Sequence, residues 1–180
     1  MQPFPNIASA QHWYVTTKDG LIGLRTAANH AARLSDATLD QLWGMTEAEW
    51  HQFYRQQATR HEMFATLALF AACEGGIRRD FEWRCLSNLG QAHRQKFSKL
   101  KRAATRKHIP LHAILETWQS ADSHKKWFAN QIATLKILFD QRNALAHGTE
   151  SANVAFELVF DRLNTIQQKW TDIASDFRGY

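Results

Sequence analysis

Three prolines, Pro3, Pro5 and Pro110, are all that this chain of 180 residues contains. Proline is the residue that interrupts helices and central strands alike, so positions 6 to 109 and 111 to 180 carry no such stop. Glycine occurs eight times, and the intervening stretches are rich in Ala, Leu, Gln, Glu and Arg, which favour helix over strand. The expectation is an all-α protein. With 44% hydrophobic and 22% charged residues the chain is too apolar to be disordered, and 180 residues are enough to bury about two thirds of the unfolded surface in one domain, 1–180. No run of about 18 apolar residues is present. The opening MQPFPNIASAQHW has neither the basic nor the apolar region of a secretory signal. The expected setting is therefore soluble and cytoplasmic, with no membrane contact. Cys73 and Cys85 are too few for a disulfide framework and read as thiols of a reducing compartment.

Local signals divide the chain further. His12 to Thr17 and Leu21 to Leu24 are rich in β-formers and flank Lys18-Asp19-Gly20, which predicts a short N-terminal hairpin. A helix from about Leu24 to Leu34 follows, and Ser35 is placed to cap another. Thr46-Glu47-Ala48-Glu49 is a capping-box pattern that opens a helical run to about Arg84, with one break or bend expected near Gln57 to Arg60 and a weak point at Gly75-Gly76. Then come a basic helix from about Leu89 to Lys107, stopped by Ile109-Pro110, and helices near Leu111 to Gln119, Asp122 or Ser123 to Ala146, and Ser151 to Phe177. No repeat or linker divides them. Residues 1–45 have no assigned role beyond packing on the rest.

The net charge of +5 has a local origin. No acid falls between Glu82 and Glu116, whereas Arg84, Arg94, Lys96, Lys99, Lys101, Arg102, Arg106 and Lys107 all do. Such a segment is either a solvated helix face or a track for phosphates. Lys99, Lys101, Arg102, Arg106 and Lys107 are the candidate RNA contacts, interleaved with Phe97 and Leu100.

Two further charges stand where apolar packing is expected. Drawn at about 100° per residue from Trp127, the residues Trp127, Leu138, Leu135, Phe128, Phe139, Ile132 and Leu145 fill an arc of about 140°, and Arg142 lies near its middle at about 60°. Asn143 and His147 fall at about 160° and 200°, one turn apart and just beyond the arc. In the preceding long helix, Met63, Leu67, Phe70, Ile77 and Phe81 form a stripe that contains Glu74. A charge on a packing face needs a partner, because burying it alone costs several kcal/mol, about 3 or more. Glu74 and Arg142 therefore either pair or border one polar site. An ordinary structural ion pair, or an arginine that snorkels to solvent, remains open beside that reading.

The sequence Arg142-Asn143-Ala144-Leu145-Ala146-His147, followed by Gly148, resembles the Arg-x4-His signature of the HEPN superfamily in its Arg-Asn variant. The order of a helix with an internal Glu, then the Arg-Asn helix, a turn and a last helix is also similar, over roughly Glu47 to Phe177. The resemblance implies a HEPN-like helical bundle and a metal-independent endoribonuclease that works as a homodimer, of the kind found among toxins and antiviral-defence effectors. One branch, paired with a nucleotidyltransferase antitoxin, carries Tyr two residues after the His. Thr149 stands there in this chain, so tyrosine modification is not implied. Other members are non-catalytic and bind RNA or a partner protein, and some act only when an antitoxin or defence-system partner releases them.

The residues suit the chemistry without the family. RNA is cut when its own 2′-OH attacks the adjacent phosphate, which requires a proton-transfer group near neutral pKa and donors for the developing phosphorane charge. His147 fits the first role and Arg142 the second. Asn143 is placed to orient His147 or to bind a phosphate oxygen, and Glu74 to anchor Arg142. A twofold dimer would double each group at a composite site. No cofactor is called for. His108 and His112 have metal-ligand spacing, but Pro110 lies between them and no third ligand is near, so no metal site is expected. Most of the seven tryptophans are expected as core or interface anchors.

Overall fold

A computed structural model describes residues 4–30, 34–86, 93–104, 109–121, 125–148 and 155–180. Among these residues the protein is a helical bundle without strands: α1 (Ile7–Asn29), α2 (Asp36–Leu42), α3 (Glu47–Leu86), α4 (Arg94–Ala103), α5 (Leu111–Ala121), α6 (Lys126–His147) and α7 (Phe156–Thr171). No helix among them is long and apolar enough to cross a membrane.

The organising element is α3, 40 residues without interruption and so about 60 Å long at 1.5 Å per residue. It opens on the expected capping box, in which Thr46 Oγ1 accepts from Glu49 N–H and the Glu49 carboxylate accepts from Thr46 N–H. No break occurs at Gln57 to Arg60, through which α3 stays helical. Gly75-Gly76 does not break the helix either, because a close contact occupies it: a Cβ on Gly76 would lie 2.3 Å from the Tyr180 Cβ. Only a residue without a side chain fits there.

The expected hairpin is also absent, since residues 12–24 lie inside α1. Asn6 caps that helix by accepting from Ser9 N–H at 2.8 Å. Thr16 and Thr17 turn their hydroxyls back to the carbonyls of His12 and Trp13, which lets β-branched residues sit in a helix. Ile7, Ala10 and Tyr14, at spacings of three and four, are its buried face. Arg25 meets Glu47, Thr17 meets His61 and Arg79 meets the Pro5 carbonyl, so α1 runs antiparallel to α3. Packing against α3 thus overrides a local β preference. Ser35 caps α2 as expected, through Thr38 N–H at 3.3 Å.

Helices α4 to α7 gather on the second half of α3 around an aromatic core. Trp118 lies 5.2 Å from Phe97 and 5.2 Å from Trp170, and Phe177 stacks on Trp170 at 4.4 Å. Phe128 near the start of α6 meets Trp170 near the end of α7, which makes these two helices antiparallel. Tryptophans are not uniformly anchors, since Trp43 is 87% exposed while Trp118 and Trp170 are fully buried. Trp127 and Leu145 share the 0° edge of the apolar arc, and there the core has thinned: Trp127 is exposed and Leu145 half-buried.

A buried charge cluster lies in this core. Arg84, counted above with the surface surplus, is fully buried: its Nε donates to Asp80 at 2.8 Å, its NH2 to Asp176 at 2.9 Å, and its guanidinium sits 4.5 Å from the Trp118 ring. Burial pushes the Asp80 carboxyl above its ordinary pKa despite the pull of Arg84.

Candidate functional site

Glu74 and Arg142 meet. Phe70 and Phe139 pack at 5.6 Å one turn earlier in α3 and α6 and bring the two helices into contact. Beyond them the apolar packing of α6 ends, so Arg142, although central on the apolar arc, stands on the wall of a cleft rather than in the core. Arg142 NH2 donates to Glu74 Oε2 at 3.1 Å, with side chains 31% and 22% exposed.

Each member of the pair is held by a further bond. Arg78, one turn after Glu74, donates from Nε to Glu74 Oε1 at 2.8 Å and from NH1 to the Ile109 carbonyl at 2.8 Å. A continuous chain of hydrogen bonds therefore runs from Arg142 through Glu74 and Arg78 to the residue before Pro110, and it links α6, α3 and the entry to α5. Arg142 NH1 also donates to Asn143 Oδ1 at 3.0 Å. Asn143 is thus turned toward the guanidinium, not toward His147, and its amide Nδ2 donors are left for a ligand oxygen. The sequence expectation had allowed either use.

The cleft has a volume of about 170 Å³, and its polar wall consists of Glu74, His112, Lys136, Asp140, Arg142 and Asn143. That is room for on the order of five waters, which suits a phosphodiester group rather than a whole nucleotide. His147 is not part of this wall. It is the last residue of α6, exposed, and the helix stops behind it because Gly148 adopts the left-handed conformation at φ 64° with its N–H bonded to the Ala144 and Leu145 carbonyls. Arg142 and His147 are five positions apart, so they project about 140° apart around the axis and about 7.5 Å along it.

The basic segment is partly engaged in internal contacts. Lys101 pairs with Glu82, and Lys96 donates to the Ser120 carbonyl at 3.1 Å. Lys99, Lys101 and Arg102 are exposed on α4, whereas Arg106 and Lys107 lie outside the described residues, as does Thr149. Among the described residues no group of three or more His, Cys, Asp or Glu side chains is gathered to hold a metal.

Three features escape the sequence reading, and two of them are Arg78 as a second support of Glu74 and the Asp80–Arg84–Asp176 cluster. The signal for both was an acid followed four residues later by an arginine in one helix. His112, considered only as half of a metal pair, is the third.

Comparison with family models, curated proteins and solved structures gave no match.

Proposed function

We propose that this chain is a HEPN-type, metal-independent endoribonuclease that cleaves RNA by attack of the 2′-OH on the adjacent phosphate, at a composite site formed by two copies of the chain. The observation that carries the reading is Arg142, held at 3.1 Å by Glu74 on the wall of a phosphate-sized cleft, with Asn143 beside it and His147 exposed one turn on. A guanidinium fixed on a half-buried wall can stabilise phosphorane charge without reorganising. The exposed imidazole can exchange protons with a substrate approaching from solvent.

The separation of about 140° between Arg142 and His147 argues for two copies. Within one helix they face different directions, so a phosphate bound to one guanidinium is best served by the imidazole of a second copy related by a twofold axis. The exposed Lys99, Lys101 and Arg102 would guide the RNA strand by phosphate contacts. A nuclease of this kind serves as a toxin or antiviral-defence effector, and a partner that restrains it is part of the reading.

The test is incubation of the purified protein with mixed RNA in the presence of EDTA. The wild type cleaves, and His147→Ala, whose side chain supports no core packing, loses cleavage while keeping its helical content and oligomeric state. Undiminished cleavage by His147→Ala would refute the assignment. An inert wild type that still binds RNA would favour a non-catalytic binding module.

A further inference from the structure

With the Arg142 of one copy facing the His147 of the other, each cleft receives one imidazole, whereas cleavage of RNA needs two proton-transfer groups: a base for the 2′-OH and an acid for the departing 5′-oxygen. Among the described residues, His112 is the one histidine on the wall of the Arg142 cleft. It sits in the first turn of α5, and its place relative to Arg142 is set by the hydrogen-bond chain, because Arg78, which holds Glu74, also holds the Ile109 carbonyl three residues before it. His112 Nε2 lies 2.9 Å from Glu116 Oε1, one helical turn on. A carboxylate at that nitrogen fixes the tautomer and orientation of the ring, leaving Nδ1 as the nitrogen available to a ligand. The side chains of His112 and Glu116 are 65% and 56% exposed, so a strand can reach them.

We infer that His112 is the second proton-transfer group of this cleft, the acid that protonates the leaving 5′-oxygen, with Glu116 as its positioning residue. The inference rests on the ribonuclease reading above. His147 takes the proton of the 2′-OH, and the 2′-oxygen forms its bond to phosphorus. The bond from phosphorus to the 5′-oxygen breaks, the electron pair stays on that oxygen, and it takes the proton from Nδ1 of protonated His112. The products are a 2′,3′-cyclic phosphate and a 5′-OH, with His147 protonated and His112 neutral; exchange with water restores both. Arg142 is the cation for the phosphoryl oxygens, while Lys136 on the same wall donates to Gln119 Oε1 at 3.1 Å. The charged groups around the His112 ring are Glu116 on its own helix, Lys136, Asp140 and Arg142 on α6, and Glu74 on α3.

Two substrates separate this role from a structural one. An RNA oligonucleotide releases an alkoxide that needs a proton, whereas uridine 3′-(4-nitrophenyl phosphate) releases a nitrophenolate that does not. His112→Ala and His112→Asn should slow RNA cleavage by about 10²–10⁴-fold, while changing the nitrophenyl ester rate by less than about tenfold. Glu116→Gln should give a smaller loss with the same substrate dependence. Equal losses on both substrates would overturn the acid role, and so would unchanged RNA cleavage by an active enzyme that His147→Ala inactivates. That second outcome leaves the ribonuclease reading standing. A wild type inert toward both substrates would overturn the reading and this inference together.

Discussion

Replacing Glu74 perturbs the cleft at its hinge point. The carboxylate accepts from Arg78 at 2.8 Å and from Arg142 at 3.1 Å, with side chains between 22% and 31% exposed. An exposed ion pair contributes about 0.2–1 kcal/mol, whereas breaking a fully buried one costs about 3–5 kcal/mol. Two partly screened partners on one carboxylate fall between these limits, so Glu74→Ala should cost about 2 kcal/mol. Alanine is the better helix former, so propensity cannot produce that loss. In a protein of this size it corresponds to a fall in Tm of about 4–8 °C. Glu74→Gln keeps an acceptor but not the charge and should cost about 1 kcal/mol. Urea unfolding followed by far-ultraviolet circular dichroism measures both, provided the slope with denaturant is unchanged. A double-mutant cycle with Arg142→Ala isolates the pair and should give a coupling of about 0.5–3 kcal/mol. RNA cleavage should fall in parallel as Arg142 loses its anchor. A Glu74→Ala protein within about 0.5 kcal/mol of wild type, or one whose effect simply adds to that of Arg142→Ala, would refute the reasoning.

Other perturbations test the frame around the site. Arg84→Met leaves Asp80 buried without its cation and should cost about 3–5 kcal/mol at neutral pH. Because burial already raises the Asp80 pKa and loss of Arg84 raises it further, the folded variant binds a proton more readily than the unfolded chain; its deficit should shrink as pH falls from about 7 to about 4.5, and a pH-independent deficit would contradict this. Gly76→Ala should destabilise by about 1–3 kcal/mol in urea unfolding, since its Cβ would lie 2.3 Å from the Tyr180 Cβ and 2.4 Å from its Cα; a gain of about 1 kcal/mol, the helix-propensity value, would mean that this contact is not made. Changing Lys99, Lys101 and Arg102 together to Ala should weaken RNA binding and reduce the steepness of its salt dependence, and an unchanged slope would return α4 to a solvated face.

The meeting of Glu74 and Arg142 was legible because helical periodicity is a property of sequence alone: a charge on an apolar stripe declares itself before any partner is known. The capping box at Thr46 and the Ser35 cap were legible for the same reason, each being complete within four residues. His12 to Leu24 misled because β-formers report a local preference, while the helix there depends on α3, whose facing residues His61 and Arg79 are far along the chain. Composition alone groups Arg84 with the basic surplus, because one of its partners, Asp176, is 92 residues away. Asn143 shows a finer limit: spacing placed it between Arg142 and His147, and its side-chain rotamer decided which it serves. His112 was hidden behind Pro110, since nothing local says that α5 will turn its first turn toward α6.

The central claim is that the Arg142 cleft supports cleavage by the internal 2′-hydroxyl, and the chemistry of the new ends tests it most directly. A short RNA treated with the purified protein and analysed by mass spectrometry should yield fragments ending in a 2′,3′-cyclic phosphate with 5′-OH partners, and neither should appear with His147→Ala. Fragments with 5′-phosphate and 3′-OH ends, or cyclic ends formed equally by the His147→Ala protein, would contradict the account.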